Sequence, residues 1–67
     1  MSVAKVTEIS ASSPTSFEDA IQKGIRRADQ TLDKVQGAWI NEMKVDVENG
    51  EVTAFRVNMK VTFILKG

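Results

Sequence analysis

Residues 52–65, VTAFRVNMKVTFIL, alternate for their whole length. Thr53, Phe55, Val57, Met59, Val61, Phe63 and Leu65 fall on one side, and Val52, Ala54, Arg56, Asn58, Lys60 and Thr62 on the other, the period of a strand with one apolar face. Upstream, Gly37 to Glu48 repeats the pattern more weakly, with Trp39, Met43, Val45 and Val47 on odd positions and Glu42, Lys44 and Asp46 on even ones. Between the two runs lies Asn49-Gly50, a strong hairpin dipeptide. Residues 37–65 therefore read as one long antiparallel hairpin whose two apolar sets both carry odd numbers. A two-residue loop would set odd opposite even. A three-residue loop, Glu48-Asn49-Gly50 with Gly50 left-handed, joins Trp39 to Met59, Met43 to Phe55 and Val45 to Thr53, and sets Glu42 opposite Arg56 as a charge pair. A bulge further along the first strand would let the shorter loop serve instead.

Working outward, Phe17, Ala20, Ile21, Gly24, Ile25, Ala28, Leu32 and Val35 recur at three- and four-residue spacing. They form one apolar stripe of a helix running to about Val35, with Gln22, Lys23, Arg26, Arg27, Asp29, Gln30, Asp33 and Lys34 on the remaining surface. Ser16 with Asp19 three residues on is a capping-box variant, and Ser13-Pro14 offers a start one turn earlier. Gly24 in mid-helix costs about 1 kcal/mol relative to Ala, which implies close packing on the sheet. Gly37 suits a position just past the helix end. Ala4 to Ile9 reads as a short strand, and Ser10 to Ser16 as a polar loop. The order strand, helix, hairpin gives an α+β fold: a β-α-β-β chain in which one helix lies on a three-stranded antiparallel sheet. The opposite sheet face, with Ala38, Ile40, Val52 and Ala54 among charges, is a contact surface for other copies.

Sixty-seven residues make one domain, 1–67. Core burial in so small a chain only roughly balances the entropy of ordering it, at about 1.5 kcal/mol per residue. With no cysteine and no histidine, neither disulfides nor a soft-ligand metal site supplements the core, so self-association is expected. Nine basic and nine acidic residues balance, which argues against a dedicated nucleic-acid or anionic-membrane binder. No apolar run is long enough to span a membrane, and MSVAKVTEIS lacks the apolar core of a signal peptide, so the cytoplasm is the default location.

Without His, Cys or Tyr, the chain lacks the usual nucleophile–base pairs, and an enzyme is not expected. Asp46, Glu48 and Glu51 surround the turn. They read first as solvated turn residues and second as oxygen ligands for a hard cation such as calcium. Lys23, Arg26 and Arg27 read as a solvated helix face among Glu18, Asp19 and Asp29. Trp39, the single tryptophan, is either a core or interface aromatic near Met59 or a stacking platform for a small planar ligand. Arg56 is the expected partner of Glu42, or a fork of donors for a ligand carbonyl or phosphate.

The opening VAKVTEISASSPTSFEDAIQKGIRRADQTL (3–32), followed by a hairpin ending FRVNMKVTF (55–63), resembles the dodecins. The resemblance covers nearly the whole chain. It implies a small β-α-β-β protomer of a hollow homododecamer that binds flavins (riboflavin or FMN) in pairs between tryptophans, storing or sequestering them. Matched without gaps from Thr31-Leu32, the family's stacking tryptophan falls at Gly37. Its flavin-contacting glutamine falls at Arg56, after Phe55. Both signature side chains are replaced, and Trp39 lies two residues beyond the stacking position, on the same strand face about 6 to 7 Å along. The resemblance extends to family members that lack the flavin tryptophan, some of them cation-binding, which share Arg after the last-strand aromatic. Two functions follow: a flavin-holding assembly with Trp39 as platform, or a structural shell that binds calcium through its acidic turn.

Overall fold

The computed structural model describes residues 3–32 and 34–65. Asp33, assigned above to the polar helix face, lies outside them. Strand β1 (Ala4–Ser13) is followed by helix α1 (Phe17–Thr31) and then by strands β2 (Val35–Glu48) and β3 (Glu51–Ile64). The sheet order is β1-β3-β2, and β3 pairs antiparallel with both neighbours. This is the expected β-α-β-β architecture, with the hairpin's second strand at its centre. Among the described residues, no helix is long and apolar enough to cross a membrane.

The alternation of β3 decides where the core sits. Val57, Met59 and Val61 are buried against Ala20 and Ala28 of the helix, with Ile9, Ala11, Phe17, Ile21, Ile25, Leu32 and Val35 packed around them. Phe17 meets Phe55 edge to face, ring centroids 5.1 Å apart. Gly24 is the point of closest approach: a Cβ there would stand 2.6 Å from the Met59 methyl and 3.0 Å from the Ala11 Cβ. The helix therefore carries glycine where it crosses the central strand, as its unfavourable propensity suggested.

The helix start is tied to the end of β1. Ser16, extended at φ −169°, caps the helix, its Oγ accepting the Asp19 N–H at 3.0 Å. The buried Ser13 hydroxyl donates to the Asp19 carboxylate and accepts the Thr15 N–H at 2.9 Å. Lys23 Nζ reaches the same carboxylate at 2.9 Å. The Ser13 hydroxyl, and after it Lys23, hold the Asp19 carboxyl below its ordinary pKa.

Three boundaries differ from expectation. Strand β1 continues through Ser13 instead of stopping at Ile9, because the long central strand offers pairing partners out to Phe55; the hydrogen-bond ladder outweighs the weak β-propensity of serine. The helix ends at Thr31, not near Val35. Leu32 turns extended (φ −108°, ψ 147°) while its N–H still bonds Ala28 O at 2.9 Å, and left-handed Lys34 (φ 46°) redirects the chain. Val35 and Gly37 then pair with Phe63 and Thr62 as strand residues.

The third difference is the hairpin register. Glu48 pairs with Glu51, so the loop is the two-residue Asn49-Gly50, both left-handed (φ 52° and 77°), and the three-residue loop is not formed. Parity is restored by a bulge on β3: Asp46 pairs with Ala54 but Val47 with Val52, leaving Thr53 as the extra residue, its hydroxyl donating to Asp46 O at 3.3 Å. Met43 therefore faces Val57, and Val45 faces Phe55. A second bulge between Ile40 and Glu42 reverses parity again, so Ile40 pairs with Met59 and Trp39 with Lys60. Partners across a ladder share a face. Ala38, Ile40 and Val52 thus lie on the helix side, not on the outer face expected for them, while Ala54 does lie outside.

Two outcomes follow. Gly24→Leu should lower stability by about 1–3 kcal/mol by overpacking against Met59, read as an earlier urea midpoint with unchanged helix content. Because the folded pKa of Asp19 is depressed, its stabilising contribution is complete above the unfolded-state pKa and disappears as pH falls through the folded one. Wild type should therefore exceed Asp19→Asn in urea midpoint at about pH 7, with the gap closing as pH falls below the ordinary aspartate value of about 3.9.

Candidate functional site

The outer face of the sheet, away from the helix, carries the candidate ligand residues. Trp39 stands there on edge strand β2, 61% exposed, opposite Lys60. Lys60 in turn pairs with Glu8 on β1, and Asn58 Nδ2 donates to Glu8 Oε2 at 2.9 Å. The expected contact of Trp39 with Met59 is not made: Met59 is completely buried on the other face, and the bulge before Glu42 sends the indole outward. Gly37 lies two residues before Trp39 on the same side, opposite Thr62, and a Cβ added there would meet nothing within 4 Å. Gly37 and Trp39 are therefore brought together, about 6 to 7 Å apart along the strand.

Arg56 is not part of that group. It sits opposite Lys44, four residues along β3 from Lys60, or about 13 Å. Its Nε bonds Asp46 Oδ2 at 2.8 Å. This diagonal pair replaces the expected Glu42–Arg56 pair, because the register places Asn58 opposite Glu42. Of the three acidic turn residues, Asp46 is thus engaged with Arg56, while Glu48 and Glu51 face each other across the last rung of the ladder. Among the described residues, no three carboxylates converge as a metal ion would require.

Two hollows border the helix, and neither was foreseen from the sequence. One, about 400 Å³, lies between α1 and the start of β2, lined by Ile21, Ile25, Val35, Gly37, Ala38 and Ile40; the small Ala38 on the helix side of β2 leaves it room. The other, about 460 Å³, runs between α1 and β1, with Ile9, Ala11, Ala28 and Leu32 as its floor and Lys23 and Arg27 at its rim. The second follows from the helix position and has no signature of its own.

The sequence model of the dodecin family matches residues 3–66. The chain belongs to the dodecin family. A calcium dodecin of Mycobacterium tuberculosis is 32% identical over 66 residues, covering 98% of this chain and 93% of that one. A dodecin from Streptomyces davaonensis superposes with a TM-score of 0.93 at 33% identity, over 98% of this chain and 97% of its own. The crystal structure of the Mycobacterium tuberculosis calcium dodecin, a calcium-chelating antigen with a novel calcium-binding site, gives a TM-score of 0.82 at 31% identity, over 96% and 91%. Within the dodecin fold of this chain, the two positions at which the family resemblance puts flavin contacts, Gly37 and Arg56, are far apart. Only the first adjoins an exposed aromatic ring.

Proposed function

We propose that this dodecin is a non-catalytic, homo-oligomeric protein of the cytoplasm that holds a small planar ligand, flavin (riboflavin or FMN) by family default, against Trp39. The observation that carries the reading is the exposed indole on the outer face of an edge strand, with open space beside it at Gly37. A large apolar ring left in water is a site for another flat π-system. One protomer supplies one wall of a stack, and a second copy related by a two-fold axis supplies the other, so assembly, as the dodecamer of the family, and ligand holding go together. Arg56 serves the sheet through Asp46 in this reading, and Gly37 provides clearance.

A second reading, a shell that binds calcium, is favoured by the calcium dodecin relative and by Glu48 and Glu51 facing each other at the hairpin tip. Like charges opposed on a ladder are unfavourable, and a hard cation between them relieves the repulsion. Asp46 would join only by releasing Arg56, so remaining ligands would come from neighbouring copies.

Titration of riboflavin and FMN with the purified protein should quench flavin fluorescence saturably, and Trp39→Ala should abolish the quenching; unchanged affinity in that variant would remove Trp39 as the platform. Should no quenching occur, the calcium reading predicts a rise in melting temperature with added Ca²⁺ that vanishes when Asp46 and Glu48 are replaced by Asn and Gln.

A further inference from the structure

We propose that Lys60 sets the specificity of the Trp39 platform: it admits planar ligands that present carbonyl oxygens or negative charge along one edge and rejects cationic rings of the same size. The inference rests on the reading of Trp39 as a platform and names the class of ligand that platform takes. Lys60 is the cross-strand partner of Trp39, so the two side chains leave the same face of the sheet about 5 Å apart. A flexible four-carbon stem carrying three donors reaches from there to the rim of a ring stacked on the indole.

The surroundings leave that ammonium to a ligand. Lys60 is exposed. Glu8, its neighbour on β1, accepts instead from Asn58 Nδ2 at 2.9 Å, and the two ion pairs among the described residues, Asp19–Lys23 and Asp46–Arg56, do not include Lys60. The outer face within one rung of the indole holds no other cation among the described residues: Thr62 stands opposite Gly37 on one side, and Asn58 opposite Glu42 on the other. Lys44 and Arg56 come a rung further, about 13 Å along the sheet, and Arg56 is held by Asp46.

Lys60 is therefore the charge nearest a bound ring, and Coulomb energy falls with distance. An oxidised flavin satisfies it, since the pyrimidine edge carries two carbonyl oxygens and a charge-assisted hydrogen bond to either needs no counter-charge. A cationic ring meets repulsion. Specificity is a difference of two affinities, and this one side chain acts on both. Without it the same surface keeps only the acids Glu8 and Glu42 around the indole, and its preference should turn toward cations.

Fluorescence titration of the intact protein with riboflavin and with proflavine, a cationic tricycle of flavin size, tests this directly. Wild type should take riboflavin about tenfold or more tightly than proflavine. Lys60→Met should weaken riboflavin binding about tenfold and reverse the preference, whereas Lys60→Arg, which keeps charge and donors, should stay within about threefold of wild type for both dyes. Wild-type riboflavin affinity in Lys60→Met with native circular dichroism overturns the proposal. So does a wild type that takes proflavine as tightly as riboflavin, a comparison that needs no variant to fold. Riboflavin binding lost in Trp39→Ala but kept in Lys60→Met leaves the platform standing and removes Lys60 alone; no riboflavin binding by the wild type removes both.

Discussion

A helix and a strand of equal residue count have unequal lengths, and this one inequality shapes the molecule. Fifteen helical residues rise about 22 Å, whereas fourteen strand residues reach about 46 Å. Helix α1 can therefore shield only about half of the β2–β3 hairpin, and the rest projects, drawing the protomer out to 51 × 19 × 13 Å. The core collects where the two lengths overlap, at Val57, Met59 and Val61. Past that point Met43, Val47 and Val52 keep half or more of their surface in water. In a chain of this size, with no cysteine, such surface is what the proposed self-association would bury.

Within the overlap, the helix is located by three neighbouring features of its own sequence. Gly24 permits close approach to Met59 and Ala11; Ser16 sets the first turn; and Asp19, reached by Ser13 and Lys23, joins that turn to the end of β1. Each is local, and together they determine which part of the sheet is covered. The grooves on either side of the helix follow from that placement, one toward β1 and one toward Gly37.

The outer face has a different origin. Its exposed indole exists because β2 gains an unpaired residue between Ile40 and Glu42, which turns Ile40 to the helix and Trp39 to solvent. Without that bulge, Trp39 would stand opposite Val61 on the helix side, and no indole would stand on the outer face. Bulges of this kind re-aim side chains near functional sites. Here the bulge separates Trp39 from the apolar set to which its parity assigned it, while the register set by the two-residue loop and the bulge at Thr53 leaves Arg56 to a pairing with Asp46.

Read alone, the chain determined its elements: the alternation of 52–65, the three- and four-residue spacing from Phe17 to Leu32, the Ser16 cap, the Asn49-Gly50 turn and the tight packing demanded by Gly24. These are legible because each is written in residues within a turn or two of one another. The resemblance to dodecins was legible too, in the order of those elements. What only the tertiary structure decided was register. Loop length, the bulges around Thr53 and before Glu42, and hence the faces of Trp39, Ile40 and Val52, depend on which backbone groups of two strands meet. A single inserted residue there moves side chains across the sheet with little change in composition. Val35 and the serines of 10–13 were misassigned for the same reason: pairing with a fourteen-residue central strand, a non-local gain, outweighed their local preferences.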